Sequence, residues 1–501
     1  MRAVFCKTAE RNDMEKKALQ KGKTEAQKRE AEVLRNSEIR NGRFIRYYGK
    51  QEEIVIPENV TAIAEEAFAG NQYLTRVSVG SHVSIIQPRA FKDCKKLKQV
   101  HLPAGLREIG EEAFYGCEAL TSLLLPRSVV SIDDGAFRGC VSLNHVVLSM
   151  GLTHIGRFAF CDCETLEEVA VPDGVTAIHR GTFFGCRSLR SVTLPASVRT
   201  LGRYAFARCA SLGEIALPEG LYYLGIGAFS ECTVLRELHV PAVVRFIGDY
   251  TFSCCENLER LELPRHLNYI GNAAFCACKK LKEITLSEYV TRIGHSAFLG
   301  CSSLTEITIP ASVEDIARYT FAYCSSLKRV ELLPPLKEIE KSMFKGCFSL
   351  EEITLPESVE KIEVGAFEDC IALSDITLSK HLSTIEARAF AGCIRLQAIS
   401  MPQTLKSIGK EAFARCAALE TVILPDSRVK IEKGAFADCD NMETLVVSDS
   451  DPVLRARRLL IGITPDVNIV LHRDLSRAAL LAELTDPALS PERRAEIEEL
   501  L

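Results

Sequence analysis

The chain has 501 residues, 47% of them apolar and 25% charged, with a formal net charge of −5. So small an imbalance leaves no overall basic footprint of the kind that marks nucleic-acid binders, and a nucleic-acid partner is not expected. No run approaches the roughly 18–20 consecutive apolar residues of a membrane span, so membrane insertion is not expected either.

From the N-terminus, the opening residues carry no apolar signal-peptide core. The expected compartment is therefore cytoplasmic, with the cell surface or secretion by an unrecognised route as the alternative. Residues 10–35 are rich in Lys, Glu, Gln and Ala and read as an exposed helix of mixed charge within an arm over residues 1–40. Residues 41–49 lead into Glu53-Ile54-Val55-Ile56-Pro57. Residues 41–57 thus predict an opening hairpin and a half repeat that lacks the Phe and Cys of later copies.

From Phe68 to Phe436 a phenylalanine recurs every 23 residues, and this ladder holds 17 of the 23 phenylalanines in the chain. A fixed period of about 20–29 residues means one supersecondary unit stacked on copies of itself. In the copy at 289–310, Leu304, Ile307 and Ile309 form a short strand whose period of two leaves one face buried. Pro310 closes it, as Pro103, Pro126 and Pro172 close others, because proline removes a ladder donor and belongs at a strand end. Val290 and Ile293 face inward on a second short segment. Ala297 and Phe298 make a compact turn, with the ring filling the centre of the coil.

Sixteen of the 20 cysteines stand three residues after a ladder Phe, from Cys94 to Cys439, and only Asn71 breaks the column. Stacking places them in one internal row about 4.8 Å apart. Buried cysteine packs as a small hydrophobe, so the row reads as reduced and structural.

Late in the array, Arg428 stands where Val is expected, which predicts a distorted copy. After Val447 the pattern stops. Helices are expected over 453–461, 475–484 and 491–501, with a last strand over 467–471, making residues 449–501 a cap on the open core.

The arrangement V-x-x-I-G-x-x-A-F-x-x-C-x-x-L-x-x-[IV]-x-L-P, carried by residues 53–448, resembles the BspA-like (Treponema pallidum type) leucine-rich repeats. The resemblance implies an α/β-type solenoid: a right-handed superhelix of seventeen 23-residue coils over residues 41–448, with a stacked sheet of short parallel strands and helical caps. One departure is visible. The asparagine of ordinary leucine-rich repeats is replaced by residues such as Ser128, Gly174 and Ser312, so polar groups inside the coil need other partners.

Catalysis is not expected, because a solenoid repeats its polar positions instead of converging unique ones. Cys161-Asp162-Cys163, Cys254-Cys255 and Cys276-Ala277-Cys278 lack the spacing of a zinc site, so neither metal nor cofactor is predicted. Two surfaces qualify for binding. Eight residues after ladder phenylalanines stand Glu168, Glu214, Glu237, Glu283, Glu306, Glu352 and Asp375. Two further on come Thr193, Thr285, Thr308, Thr354 and Thr377. Glu283 and Glu306 fall on adjacent coils, and like charges side by side destabilise a sheet. A basic protein segment is the natural partner for such a face.

The second surface is aromatic: Tyr223, Phe246 and Tyr269 precede consecutive ladder phenylalanines by six residues, which predicts a row of rings on the outside. Tyr222 adjoins it, Tyr204 and Tyr250 lie two residues before their Phe, and Arg157, Arg180 and Arg203 stand one position earlier still. The expected function is a noncatalytic protein-binding scaffold, with a monomer expected. The resemblance implies, as an alternative, a surface adhesin for host matrix proteins, and the ring row leaves carbohydrate binding as a third reading.

Overall fold

The computed structural model describes residues 31–425, 429–447, 461–464 and 467–471. The chain divides by contact density into two units, Met1–Val243 and Val244–Leu501. Both are built from the same coil.

Most coils contribute two short strands, and these pair in parallel with equivalents 23 residues away. In the first unit Glu168–Ala170 pairs with Ser191–Thr193, which pairs with Glu214–Ile215. A second, separate ladder runs Ala177–Ile178, Thr200–Leu201, Tyr223–Leu224. The long-strand ladder buries its middle residue and exposes its flanks; Val169 and Val192 are in the core while Glu168 and Ala170 face solvent. This is the alternation of a sheet with one dry face.

The single stacked sheet expected from the sequence is therefore two ladders, and the α/β class needs correction. Among the described residues only 31–35 are helical, so the coils form a β-solenoid. The cause lies beside each ladder Phe. The residues two before and two after it adopt the left-handed region, as Tyr250 (φ 57°) and Cys254 (φ 60°) do around Phe252. A left-handed residue on either side interrupts any right-handed helical run, so the return segment stays a chain of turns.

The ends differ from the repeat. In the first unit a bulged antiparallel hairpin, Ser37–Arg40 with Arg43–Tyr47, docks in parallel on Ala62–Ile63. Its Phe44 is fully buried and stacks on Phe68 at 4.8 Å, so the half repeat does supply a ring to the ladder. Asn71, in the cysteine column, accepts from the backbone N–H groups of Tyr73 and Leu74 and faces the Gly49 carbonyl. In the second unit the strand expected over 467–471 forms as Asn468–Leu471, paired with Thr444–Val447. The helices expected over 475–484 and 491–501, the distortion at Arg428, and residues 10–30 of the N-terminal arm lie outside the described residues. So does the helix expected over 453–461, except Ile461, whose carbonyl accepts from the Phe436 N–H.

The core is the phenylalanine column. Neighbouring rings within each unit stack 4.8–5.7 Å apart, as Phe68 and Phe91 do at 4.8 Å and Phe252 and Phe275 do at 5.7 Å. Burying each ring contributes roughly 1.5–3 kcal/mol. Coils approach so closely that a Cβ on Gly294 would lie 2.6 Å from the Asn272 nitrogen and the Gly271 carbonyl carbon. The column of cysteines does more than fill space. Within each unit the column thiols donate to the backbone carbonyl of the ladder Phe 26 residues earlier, for example Cys94 to Phe68 at 3.1 Å and Cys347 to Phe321 at 3.2 Å. Serines take up the second polar duty: Ser312 Oγ donates to the Val290 carbonyl and Ser197 Oγ to the Val175 carbonyl, both at 2.8 Å. Together these replace the missing asparagine ladder.

Candidate interaction surfaces

The long-strand ladder aims one residue in two at solvent, so a surface column arises wherever the sequence keeps a polar residue there. In the second unit this face forms an open groove of about 890 Å³, whose walls include Glu283, Thr285, Glu306, Thr308, Glu352 and Thr354. A second groove of about 610 Å³ shares Glu283 and adds Arg260 and Glu262. The predicted Glu283, Glu306 and Glu352 are thus brought together on one face.

The column is less uniform than its acids alone suggest. Arg329 pairs in register with Glu306, and its guanidinium lies 4.0 Å from the Glu352 carboxylate. Both partners are more than two-thirds exposed, so this pair stabilises little. Sequence reasoning missed Glu331, which sits in the threonine column, pairs with Thr308 and accepts its hydroxyl hydrogen bond at 3.0 Å. The signal was available. Arg329 and Glu331 hold the same 23-residue positions as Glu306 and Thr308, and selecting by residue type hid them. The groove also presents Leu333, half exposed between Pro310 and Pro356. Around Glu283 the chain passes without an assigned strand, so Glu283 and Glu306 are not a ladder pair.

Of the remaining predicted acids, Asp375 pairs in register with Glu352 on the second unit, and the other three lie on the first, where Ser191 separates Glu168 from Glu214 in register and Glu237 is exposed.

The aromatic positions fall on the short-strand ladder and divide between the units. Tyr223 pairs with Thr200 in the first; Phe246 pairs with Tyr269, and Tyr269 with Arg292, in the second. Phe246 and Tyr223 are about half exposed and Tyr222 more so, whereas Tyr269 is partly covered. Burial, then the Asp249 carboxylate, raises the Tyr269 phenol above its usual range. Tyr204 and Tyr250 both occupy left-handed turn positions, and the Tyr204 ring lies over Gly227, where a Cβ would collide with it. Those two tyrosines therefore carry backbone duties as well as surface.

Burial pushes the fully buried column thiols up, Cys94 and Cys324 to about 12, which removes them as nucleophiles near neutral pH, whereas its hydrogen bond with Cys416 lowers the partly buried Cys439. All 19 described cysteines are free. Among the described residues no three His, Cys, Asp or Glu side chains converge as a metal site, and no helix is long and apolar enough to cross a membrane.

A family model for the BspA type leucine-rich repeat region, of six copies, matches residues 37–166, 131–259, 245–374 and 361–454. Among solved structures, the chain is similar to a leucine-rich repeat protein from Bacteroides ovatus, at 26% identity over 86% of this chain and 94% of that one, with a TM-score of 0.49. It is similar to the T. pallidum leucine-rich repeat protein at 38% identity over 34% of this chain and 82% of that one, TM-score 0.33. A leucine-rich cell surface protein from Faecalibacterium prausnitzii shares 25% identity over 84% and 93% of the two chains, TM-score 0.32. A search of curated proteins returns no match.

Proposed function

We propose, since this chain belongs to the BspA-type leucine-rich repeat family, that it is a noncatalytic recognition module whose binding surface is the long-strand face of the second unit. The observation that carries the reading is the groove at Glu283, Glu306, Glu331 and Glu352. Its carboxylates point away from the core and link coils only through exposed contacts such as Glu331 with Thr308, unlike the buried Phe, Cys and Leu columns. Acidic side chains alternating with threonine hydroxyls suit a basic protein segment, with Arg329 setting register by repelling a misplaced cation and Leu333 offering an apolar contact.

A photo-crosslinking residue at Thr308 tests this, with a second at Glu411 as a control outside the groove. The expected result is a defined crosslinked segment, rich in Lys or Arg, from Thr308 alone. Equal crosslinking from both positions, or an acidic or neutral segment at Thr308, overturns the reading.

A further inference from the structure

Residues 174–213 hold six arginines and no lysine, aspartate or glutamate. Within and just before that stretch, Arg157, Arg180 and Arg203 occupy one position, three residues ahead of Phe160, Phe183 and Phe206. These are consecutive coils of the first unit, and their rings are 5.7 and 5.4 Å apart. All three arginines are exposed. No described carboxylate lies within 4.0 Å of these three guanidinium groups, although Arg187 and Arg208 of the same stretch reach Glu164 and Glu231. Arg180 instead lies over the Phe158 ring at 5.4 Å. A column of like charges on neighbouring coils is unfavourable.

Charge is also split between the units. Met1–Val243 carries 31 Lys and Arg against 28 Asp and Glu, of which 9 and 5 lie in residues 1–30 outside the described structure, and Val244–Leu501 carries 30 against 38, a net −8. The most concentrated cationic column thus stands on one unit and the carboxylate-lined groove on the other.

We infer that the Arg157–Arg180–Arg203 column is a docking surface, and that its occupant is the acidic groove of the second unit of another copy of this chain. The inference rests on the proposed groove for one of its two faces. Both faces are cut from the same repeat, so their columns share one coil spacing, with Glu331 supplying the carboxylate on the coil where Arg329 interrupts Glu283, Glu306 and Glu352. An extended foreign strand repeats its facing side chains about every 6.6–6.8 Å and drifts out of step within a few contacts. The two faces differ, so the contact is heterologous: each copy keeps a free column and a free groove, and assembly runs head to tail. Exposed charges dominate it, which makes it weaken with salt. This departs from the monomer expected on sequence grounds.

Light scattering on the full chain, at low and at physiological ionic strength, tests the inference with two variants. One is Arg157→Gln/Arg180→Gln/Arg203→Gln; the other is Glu283→Gln/Glu306→Gln/Glu352→Gln. Wild type is expected to associate with rising concentration at low salt, and each variant alone to do so at least about tenfold more weakly. Mixed one to one, they should form dimers that grow no further, because one supplies only an intact groove and the other only an intact column. A wild type that stays monomeric, association that survives in both variants, or a mixture that fails to pair overturns the inference. A fluorescent hexa-arginine peptide separates this from the groove reading. Binding to wild type and to the arginine variant, but not to the groove variant, leaves the groove standing even if self-association fails; binding to none removes both.

Discussion

The thiol of Cys301 donates a hydrogen bond to the backbone carbonyl of Phe275, one coil back, at 3.2 Å. Both residues are fully buried, so that carbonyl has no recourse to water. A residue type that is ordinarily a small hydrophobe here satisfies a main-chain acceptor. Cys301→Ala removes the donor and leaves a small cavity, and is expected to cost about 1–3 kcal/mol. Cys301→Ser keeps a donor and should recover part of that loss. Urea denaturation of both variants checks the order; an alanine variant as stable as the serine variant would remove the hydrogen bond from the account.

The same burial sets thiol reactivity. With Cys94 and Cys324 pushed to about 12, the fully buried thiols of the column are almost wholly protonated at pH 8. Cys254 lies outside the column and is only half buried. Pulse alkylation of the native protein followed by peptide mass spectrometry should label Cys254 well before the fully buried column cysteines. After denaturation every described cysteine should label, since none is in a disulfide.

Two glycines separate backbone strain from crowding. Gly70 has φ +70° with nothing within 4 Å of where a Cβ would stand, so Gly70→Ala pays only for the left-handed conformation, about 1–2 kcal/mol. Gly294 has no such φ, but its Cβ would press on the backbone of the preceding coil. Backbone cannot swing aside as a side chain can, so Gly294→Ala should be the more damaging, by about 1–3 kcal/mol of overpacking on top of coil separation. Thermal melts of the two variants give the ranking; a milder Gly294 variant would mean the coils can part.

Acid stability should depend on Glu368. Burial raises its pKa, but hydrogen bonds from Lys345 at 2.8 Å and Arg388 at 3.0 Å outweigh burial and hold the carboxyl below its ordinary value of 4.5. With the folded pKa below the unfolded one, its stabilisation is fully present above the unfolded value and is lost as pH falls through the folded one. Glu368→Gln should therefore flatten the stability profile below about pH 4.5. Parallel profiles for wild type and variant in that range would show the ion pairs contribute nothing there.

Much of this architecture is legible in the sequence because each layer has its own column. Phe298, Cys301, Leu304 and Ile307 recur in phase, and the 23-residue period cannot arise without a stacked coil. The return segment was not legible as turns. Its left-handed positions hold Tyr250, Cys254 or Ala273 as often as glycine, and only the backbone reveals what those residues share. Phe44 was missed because the hairpin sets it 24 residues before Phe68, one residue off the period, although its ring is in the stack. The acidic face was half read. Glu283, Glu306 and Glu352 do meet in the groove, but Arg329 and Glu331 enter it through position, which residue type alone does not report.

Within each unit, an interior coil is bonded to its neighbours through the same carbonyls, thiols and ring faces. A segment that knows only the one before and the one after carries no record of its place in the count. Excising one whole period, such as residues 291–313, should therefore leave the second unit shorter by one coil with its junction already complementary, whereas losing 22 residues would set the Phe and Cys columns one residue out of register at the junction. Reach is thus adjustable in this chain by duplication or loss of whole periods, and the Phe44 hairpin, which follows no period, is the part that cannot be exchanged.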